Sequence, residues 1–207
     1  MKKKNKNELR KILGINLVSP VMIVTYHPET LSLDETEIKI INLLGALKEI
    51  DAEIIFTYPN ADASGRVIIS MINKFVQNYP NAKAFKSLGK KLYFSLLNFC
   101  DIIVGNSSSG MVETQYFKLP VVNIGNRQKG RIITENIISS SGEKESNISS
   151  IKKGLSFEFR ESIKNMKNPY AKRGAGGKIV RVLADLPSTE KLLRKQFIFN
   201  RGDYEKN

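Results

Sequence analysis

Three consecutive hydroxyls, Ser107 to Ser109, follow a short apolar run (102–105) and precede Gly110, with a lone carboxylate, Glu113, one helical turn beyond. Amides at the start of a helix have no intrahelical acceptor and carry the positive end of its dipole. Serines there add donors for an anion, above all a phosphate. A simple helix cap would need one serine, not three. Gly110 would let the backbone come close to such a ligand. Glu113 is not the far end of a capping box, because position 110 carries no hydroxyl. A carboxylate there repels phosphate unless it faces another part of the ligand. A ribose diol suits it, since one carboxylate accepts two hydroxyl hydrogen bonds. Phosphate and ribose together read as a nucleotide.

Other polar groups cluster in similar settings. His27, the chain's only histidine, lies in "TYHPET"; Asn60 and Asp62 lie in "TYPNADASGR"; Arg127 and Arg131 lie in "GNRQKGR". A guanidinium can clamp phosphate oxygens with two parallel N–H donors. His27 by its type alone is either a structural hydrogen bonder or an acid/base. A single histidine and a single cysteine, Cys100, give no zinc spacing and no intramolecular disulfide. No Gly-x-Ser-x-Gly elbow, Walker loop or post-strand Gly-x-Gly-x-x-Gly occurs, so serine hydrolase, P-loop and common dinucleotide readings drop out.

The elements that must carry these groups repeat a β-α rhythm. Apolar strand-length runs at 21–26, 52–58, 82–87, 101–106 and 120–125 alternate with helically spaced segments, such as 32–50 with Ile38, Ile41 and Leu44 on one stripe. Ser32 and Glu35 form a capping-box signature ahead of that helix. Continuous rather than alternating apolar strands are covered by helices on both faces. The expected fold is therefore α/β, a doubly wound, mainly parallel, Rossmann-like sheet of about five strands. In such sheets ligands gather at the carboxyl ends of the strands, where all the polar groups above fall. Past residue 131 the rhythm fades. Residues 139–150 read as a polar connection with little to pack, and "ESIKNMKNPY" and "GKIVRVLADL" as two short helices around a glycine-rich turn. The expected organisation is a basic leading segment at 1–18, the nucleotide-binding domain at 19–186 and a basic tail at 187–207.

The net charge of +13 is confined to the ends. Residues 1–11 contribute +5 and 152–207 contribute +8, while 12–151 are neutral. Nucleic-acid binders show a basic face with interleaved aromatics or a known module, and neither occurs, so no nucleic-acid partner is expected. Basic ends are solvated or dock on an acidic partner. Apolar runs of a few residues are far too short to span a membrane, and the N-terminus lacks a signal-type apolar core. A cytoplasmic protein is the expectation.

Four motifs in order, "TYHPET", "TYPNADASGR", "GNSSSGMVE" and "LPVVNIGNRQKGR", resemble the C-terminal half of UDP-N-acetylglucosamine 2-epimerases, most closely the hydrolysing type of sialic acid biosynthesis. The later "NPY", glycines and "IVRVL" resemble the same family's closing segment, so the likeness spans roughly residues 8 to 200. It implies a GT-B-like two-domain fold with the nucleotide sugar between two Rossmann-like halves. Ser107, Ser108 and Arg127 would hold the diphosphate and Glu113 the ribose. Leu88 and Gly89 would meet the uracil through backbone. His27 would stand at the active cleft, and Asn60 and Asp62 on the loop lining it. The implied reaction is anti elimination of UDP, then addition of water to give N-acetylmannosamine, with His27 and Arg127 as catalytic groups and no metal or nicotinamide cofactor.

The resemblance also implies a departure. The family's chain is nearly twice as long, and its N-terminal half, which supplies the carboxylates for proton transfer at the sugar, has no counterpart here. The expectation is a C-terminal half whose partner half is a separate chain or lost, binding UDP but inactive alone, with homo-oligomerisation left open. Two rivals stand beside it: half of a GT-B UDP-sugar glycosyltransferase, and a non-enzymatic nucleotide-sugar binding module or remnant.

Overall fold

The structure is a computed structural model that describes residues 3–29, 33–59, 63–171 and 174–193. The runs of β-branched and aliphatic residues form β1 (Val21–Thr25), β2 (Glu53–Thr57), β3 (Ala82–Phe85), β4 (Ile102–Gly105) and β5 (Val121–Ile124). A sixth strand, β6 (Ile137–Ser140), lies beside β5. All pair in parallel, in the order β3-β2-β1-β4-β5-β6. That order reverses between β1 and β4, the switch point at which doubly wound sheets open a crevice.

Side-chain alternation divides the interior in two. Met22 and Val24 of β1 join a core with Ile54, Phe56, Ile102 and Val104. Three helices bury their apolar stripes in it: α2 (Leu33–Leu47) through Ile40, Leu43 and Leu47, α3 (Ala63–Asn78) through Ile68, Ile72 and Phe75, and α6 (Lys144–Leu155) through Ile151. Val21 and Ile23 face the other way and pack with Ile55, Ile103 and Val121 under α1 (Lys6–Leu13) and α4 (Gly89–Leu96). Each fully buried aliphatic side chain contributes roughly 1.5–3 kcal/mol, so both faces of the sheet are firmly held. The start of α1 is fixed by a capping box between Asn5 and Glu8, and its end by left-handed Gly14.

Two expectations are corrected. Ile38 and Ile41 are exposed rather than on the inner stripe of α2, which faces the sheet through Ile40, Leu43, Leu44 and Leu47. Residues 139–150 are not a loose connection, because β6 runs to Ser140 and α6 starts at Lys144. The helix hides few aliphatics. Its inner face is Asn147, Ser150, Ile151 and Gly154, and a side chain at Gly154 would come within 2.6 Å of Ile102. Small residues let the helix lie close to β4, so Ile151, with the partly buried Ile148 and Leu155, is enough apolar contact. Of the capping box expected before α2, Ser32 lies outside the described residues, as do Lys172, Arg173 and the tail from 194.

The chain divides into two compact units, Met1–Asn168 and Pro169–Asn207. The first holds the sheet with α1 to α4, α5 (Ser108–Val112), α6 and α7 (Phe157–Ser162). In the second, α8 (Ala175–Ala184) and α9 (Thr189–Leu193) are exposed throughout, with Ile179, Val180, Val182 and Leu183 each more than half accessible. Among the described residues no helix is long and apolar enough to cross a membrane.

Candidate functional site

β1, β4 and β5 end side by side, with Thr25 opposite Gly105 and Gly105 opposite Asn123. Gly105 has φ +133°, and a Cβ there would lie 2.0 Å from the Thr25 carbonyl oxygen. Glycine is therefore required where β4 leaves the sheet against β1.

Asn106 follows and is fully buried. Its side chain brackets the peptide groups of His27: Oδ1 accepts from His27 N at 2.7 Å, and Nδ2 donates to His27 O at 2.9 Å. Its own N–H donates to Thr25 O at 3.1 Å. Its carbonyl accepts from Arg127 Nη1 at 3.2 Å and Gln128 Nε2 at 2.7 Å. One residue thus ties together the ends of three adjacent strands, at the switch point of the sheet. Asn106 has no place among the residues expected from sequence, because an amide in a turn reads as loop filler. Gln128 was missed for the same reason; it is buried, and among the described residues its Oε1 has no hydrogen-bond partner.

The serine run divides its tasks. Ser107 caps α5, its Oγ accepting from Ser109 N at 3.4 Å. Ser108 is exposed. The Ser109 hydroxyl shares a 2.5 Å hydrogen bond with the Tyr93 hydroxyl of α4. Gly110 makes its close approach to the sheet, where a Cβ would meet Val121 Cγ1 at 2.9 Å. Burial pushes the Tyr93 phenol up to about 12; the Ser109 hydrogen bond opposes this, and Cys100 and Glu113 add to it. Tyr93 therefore stays neutral over the physiological range and can act as a donor.

A cleft of about 560 Å³ opens between the ends of β1 to β3 and α4, lined by His27, Tyr58, Leu88, Gly89, Tyr93 and Glu113 among others. The hydroxyls of Thr25 and Thr57, both on its lining, are hydrogen-bonded to each other. Lys86 and Lys90 also border the cleft and make it basic. Neither was expected, although Lys86 directly follows β3 and the rule of carboxyl ends points to it. Leu88 is buried before α4, and Gly89 takes φ +61°. Glu113 ends α5, with its N–H donating to Ser109 O at 3.0 Å.

His27, Leu88, Gly89 and Glu113 thus converge on one cleft. Ser107 and Ser108 begin the helix that carries Glu113. Arg127 is exposed and reaches the carbonyl of Asn106, the peptide just before Ser107. Arg131 is also exposed, its N–H donating to Gln128 O at 3.2 Å. Asn60 and Asp62 lie outside the described residues. Among those described, no group of three or more His, Cys, Asp or Glu side chains could hold a metal ion.

A family model described as UDP-N-acetylglucosamine 2-epimerase matches residues 1–184. The chain belongs to this family. A GDP/UDP-N,N'-diacetylbacillosamine 2-epimerase (hydrolyzing) of Campylobacter jejuni is 39% identical to this epimerase-family chain over 196 residues, which are 94% of the chain and 50% of that relative. The polysialic acid biosynthesis protein P7 of Escherichia coli is 30% identical over 195 residues, 93% of this chain and 49% of that protein. The chain spans about half the length of these curated relatives. A Methanocaldococcus jannaschii UDP-GlcNAc 2-epimerase, solved in complex with UDP-GlcNAc and UDP, has a similar fold. Its TM-score is 0.64 at 21% identity, covering 87% of this chain and 49% of that one. The Neisseria meningitidis UDP-GlcNAc 2-epimerase bound to UDP-GlcNAc matches with a TM-score of 0.62 at 15% identity, covering 87% and 48%. The Rossmann-like α/β fold is shared with these epimerases.

Proposed function

We propose that this chain is the UDP-binding half of a hydrolysing 2-epimerase that acts on a 2-acetamido UDP-sugar together with an N-terminal half. The observation that carries the reading is the Asn106 junction, which holds the His27 peptide, the start of α5 and the Arg127 guanidinium within one hydrogen-bonded unit. Uridine lies along Leu88 and Gly89, with its ribose hydroxyls donating to Glu113. The diphosphate lies toward the amides of Ser107 and Ser108, facing Arg127, with Lys86 and Lys90 raising the local potential.

Anti elimination breaks the sugar C1–O bond and removes the C2 proton. Negative charge then collects on the departing diphosphate. Arg127 and the amides of Ser107 and Ser108 at the start of α5 stabilise that charge, which lowers the barrier for the leaving group. His27, with both peptide groups clamped by Asn106, presents its ring to the cleft as a proton carrier or phosphate contact. Water adds across the resulting C1–C2 double bond, with a proton delivered to C2 from the opposite face. The released sugar is then the 2-epimer. The groups that exchange the C2 proton belong to the N-terminal half.

The 39% identical relative supports a diacetamido sugar as the substrate within this class. The test is reconstitution. The chain is mixed with the N-terminal half of that relative and given UDP-N-acetylglucosamine and UDP-diacetamido sugar, with UDP and free sugar followed. Free UDP with the 2-epimerised sugar, and no acceptor present, supports the proposal. Turnover only when an acceptor is supplied would favour a glycosyltransferase.

A further inference from the structure

We propose that the amino edge of the sheet carries a second binding site, for an organic anion with a flat apolar body, in the cavity framed by Lys3, Lys118, Arg160, Phe94 and Phe117. The cavity measures about 640 Å³, larger than the cleft at the opposite edge. Its floor is the chain entering two strands: Cys100 stands just before β4, and Leu119 and Pro120 just before β5. None of its side chains takes part in the nucleotide reading, although Phe94 borders both spaces.

The charges there are not balanced. Lys3 Nζ donates to Asn98 Oδ1 at 3.1 Å and stands 5.3 Å over the Phe117 ring. Lys118 Nζ donates to the carbonyl of Lys164. Both acceptors are neutral, so among the described residues two ammonium groups are held in place without a carboxylate partner. Arg160 meets a carboxylate, Asp101, at 3.0 Å, and the other oxygen of that carboxylate already accepts from Val21 N at 2.8 Å.

Lys118 also sits at φ +49°, a backbone state that glycine adopts freely and a lysine does not. A lysine in that position keeps an ammonium at the rim at the expense of backbone strain. Phe94 and Phe117, with ring centroids 6.1 Å apart and tilted, supply an apolar wall next to the cations. A volume of this size exceeds what inorganic phosphate needs and falls in the range of small-molecule sites, about 300–1,000 Å³. Cations beside aromatic rings select a ligand that is anionic at one end and flat and apolar at the other. A phosphate ester or a carboxylate supplies that chemistry.

The test is a titration of the isotope-labelled full chain, followed by amide chemical shifts, with phenyl phosphate, benzoate and inorganic phosphate as probes. Each titration is run with and without UDP, so the result does not depend on the nucleotide reading. Phenyl phosphate or benzoate should shift the amides of Phe117, Lys118, Leu119 and Arg160 saturably, and more tightly than inorganic phosphate. The stronger of the two organic probes identifies the acid. Lys118→Gly relieves the strained φ, so its unfolding midpoint should not fall, yet it should weaken the organic probe about tenfold. Lys3→Gln should do likewise. The site is overturned if no saturable shift occurs, if shifts are confined to residues 107–113 and 127, if inorganic phosphate binds as tightly, or if Lys118→Gly binds unchanged.

Discussion

Replacing Asn106 with alanine removes two hydrogen bonds of 2.7 and 2.9 Å at a fully buried position and strips both peptide groups of His27 of these partners. A typical intramolecular hydrogen bond contributes about 0.5–1.5 kcal/mol. Two of them, with the small cavity left by the lost amide, give an expected loss of about 2–4 kcal/mol. That is a large share of the roughly 5–15 kcal/mol that holds an ordinary domain together. Urea unfolding followed by circular dichroism measures it. The backbone carbonyl that receives Arg127 survives the substitution, so any loss of UDP affinity in the folded variant reports the position of His27 and the start of α5. Asn106→Asp gives a second reading. Its ionised carboxylate still accepts from His27 N but faces His27 O with a second acceptor, and protonation restores a donor. Its destabilisation should shrink as pH falls. If Asn106→Ala costs under about 1 kcal/mol, the junction does not organise the strand ends, and the reasoning from it fails.

Gly105→Ala should cost about 4 kcal/mol or more, or prevent folding, because its Cβ would meet Thr25 O at 2.0 Å, whereas Gly130→Ala, at φ +86° with open space, should cost only about 1 kcal/mol. Similar unfolding midpoints for the two would refute the close approach of β4 to β1. Glu113→Ala should weaken UDP by about 1–2 kcal/mol and leave inorganic diphosphate nearly unchanged, since the diphosphate carries no ribose; equal losses in calorimetry would remove the ribose assignment. The Tyr93 phenol is raised from 10.0 to about 12 on folding, so ionisation favours the unfolded chain. Its contribution to stability is therefore intact below pH 10 and lost as pH rises toward 12. Tyr93→Phe should remove that part of the alkaline decline in the unfolding midpoint and leave the part due to Cys100, whose buried thiol is also pushed up.

How much of this was legible in the sequence depended on whether a residue's role matches its type. β1, β2, β4 and β5 announced themselves as unbroken apolar runs, because strands buried on both faces need apolar side chains at every position. β6 and α6 were invisible for the opposite reason. Ile137 and Ile138 are the only aliphatics of β6, and α6 packs through Ser150 and Gly154 as much as through Ile151, so closeness decides much of the fit. At the candidate site, strand-end position points to His27 and Arg127, and the helix start points to Ser107 and Glu113. Asn106 and Tyr93 were not found, since their importance lies in partners 79 and 16 residues away. The serine run was read as one anion site, whereas Ser107 also caps α5 and Ser109 is engaged by Tyr93.

The most direct measurement is calorimetric titration of UDP into the folded chain and into Arg127→Ala, with inorganic diphosphate in parallel. UDP should bind more tightly than diphosphate, and Arg127→Ala should lose roughly 2 kcal/mol, about thirtyfold, because a charge-assisted contact to the diphosphate is gone. No detectable heat with UDP at about millimolar concentration, or an Arg127→Ala variant that binds UDP as well as the parent chain, would contradict the assignment.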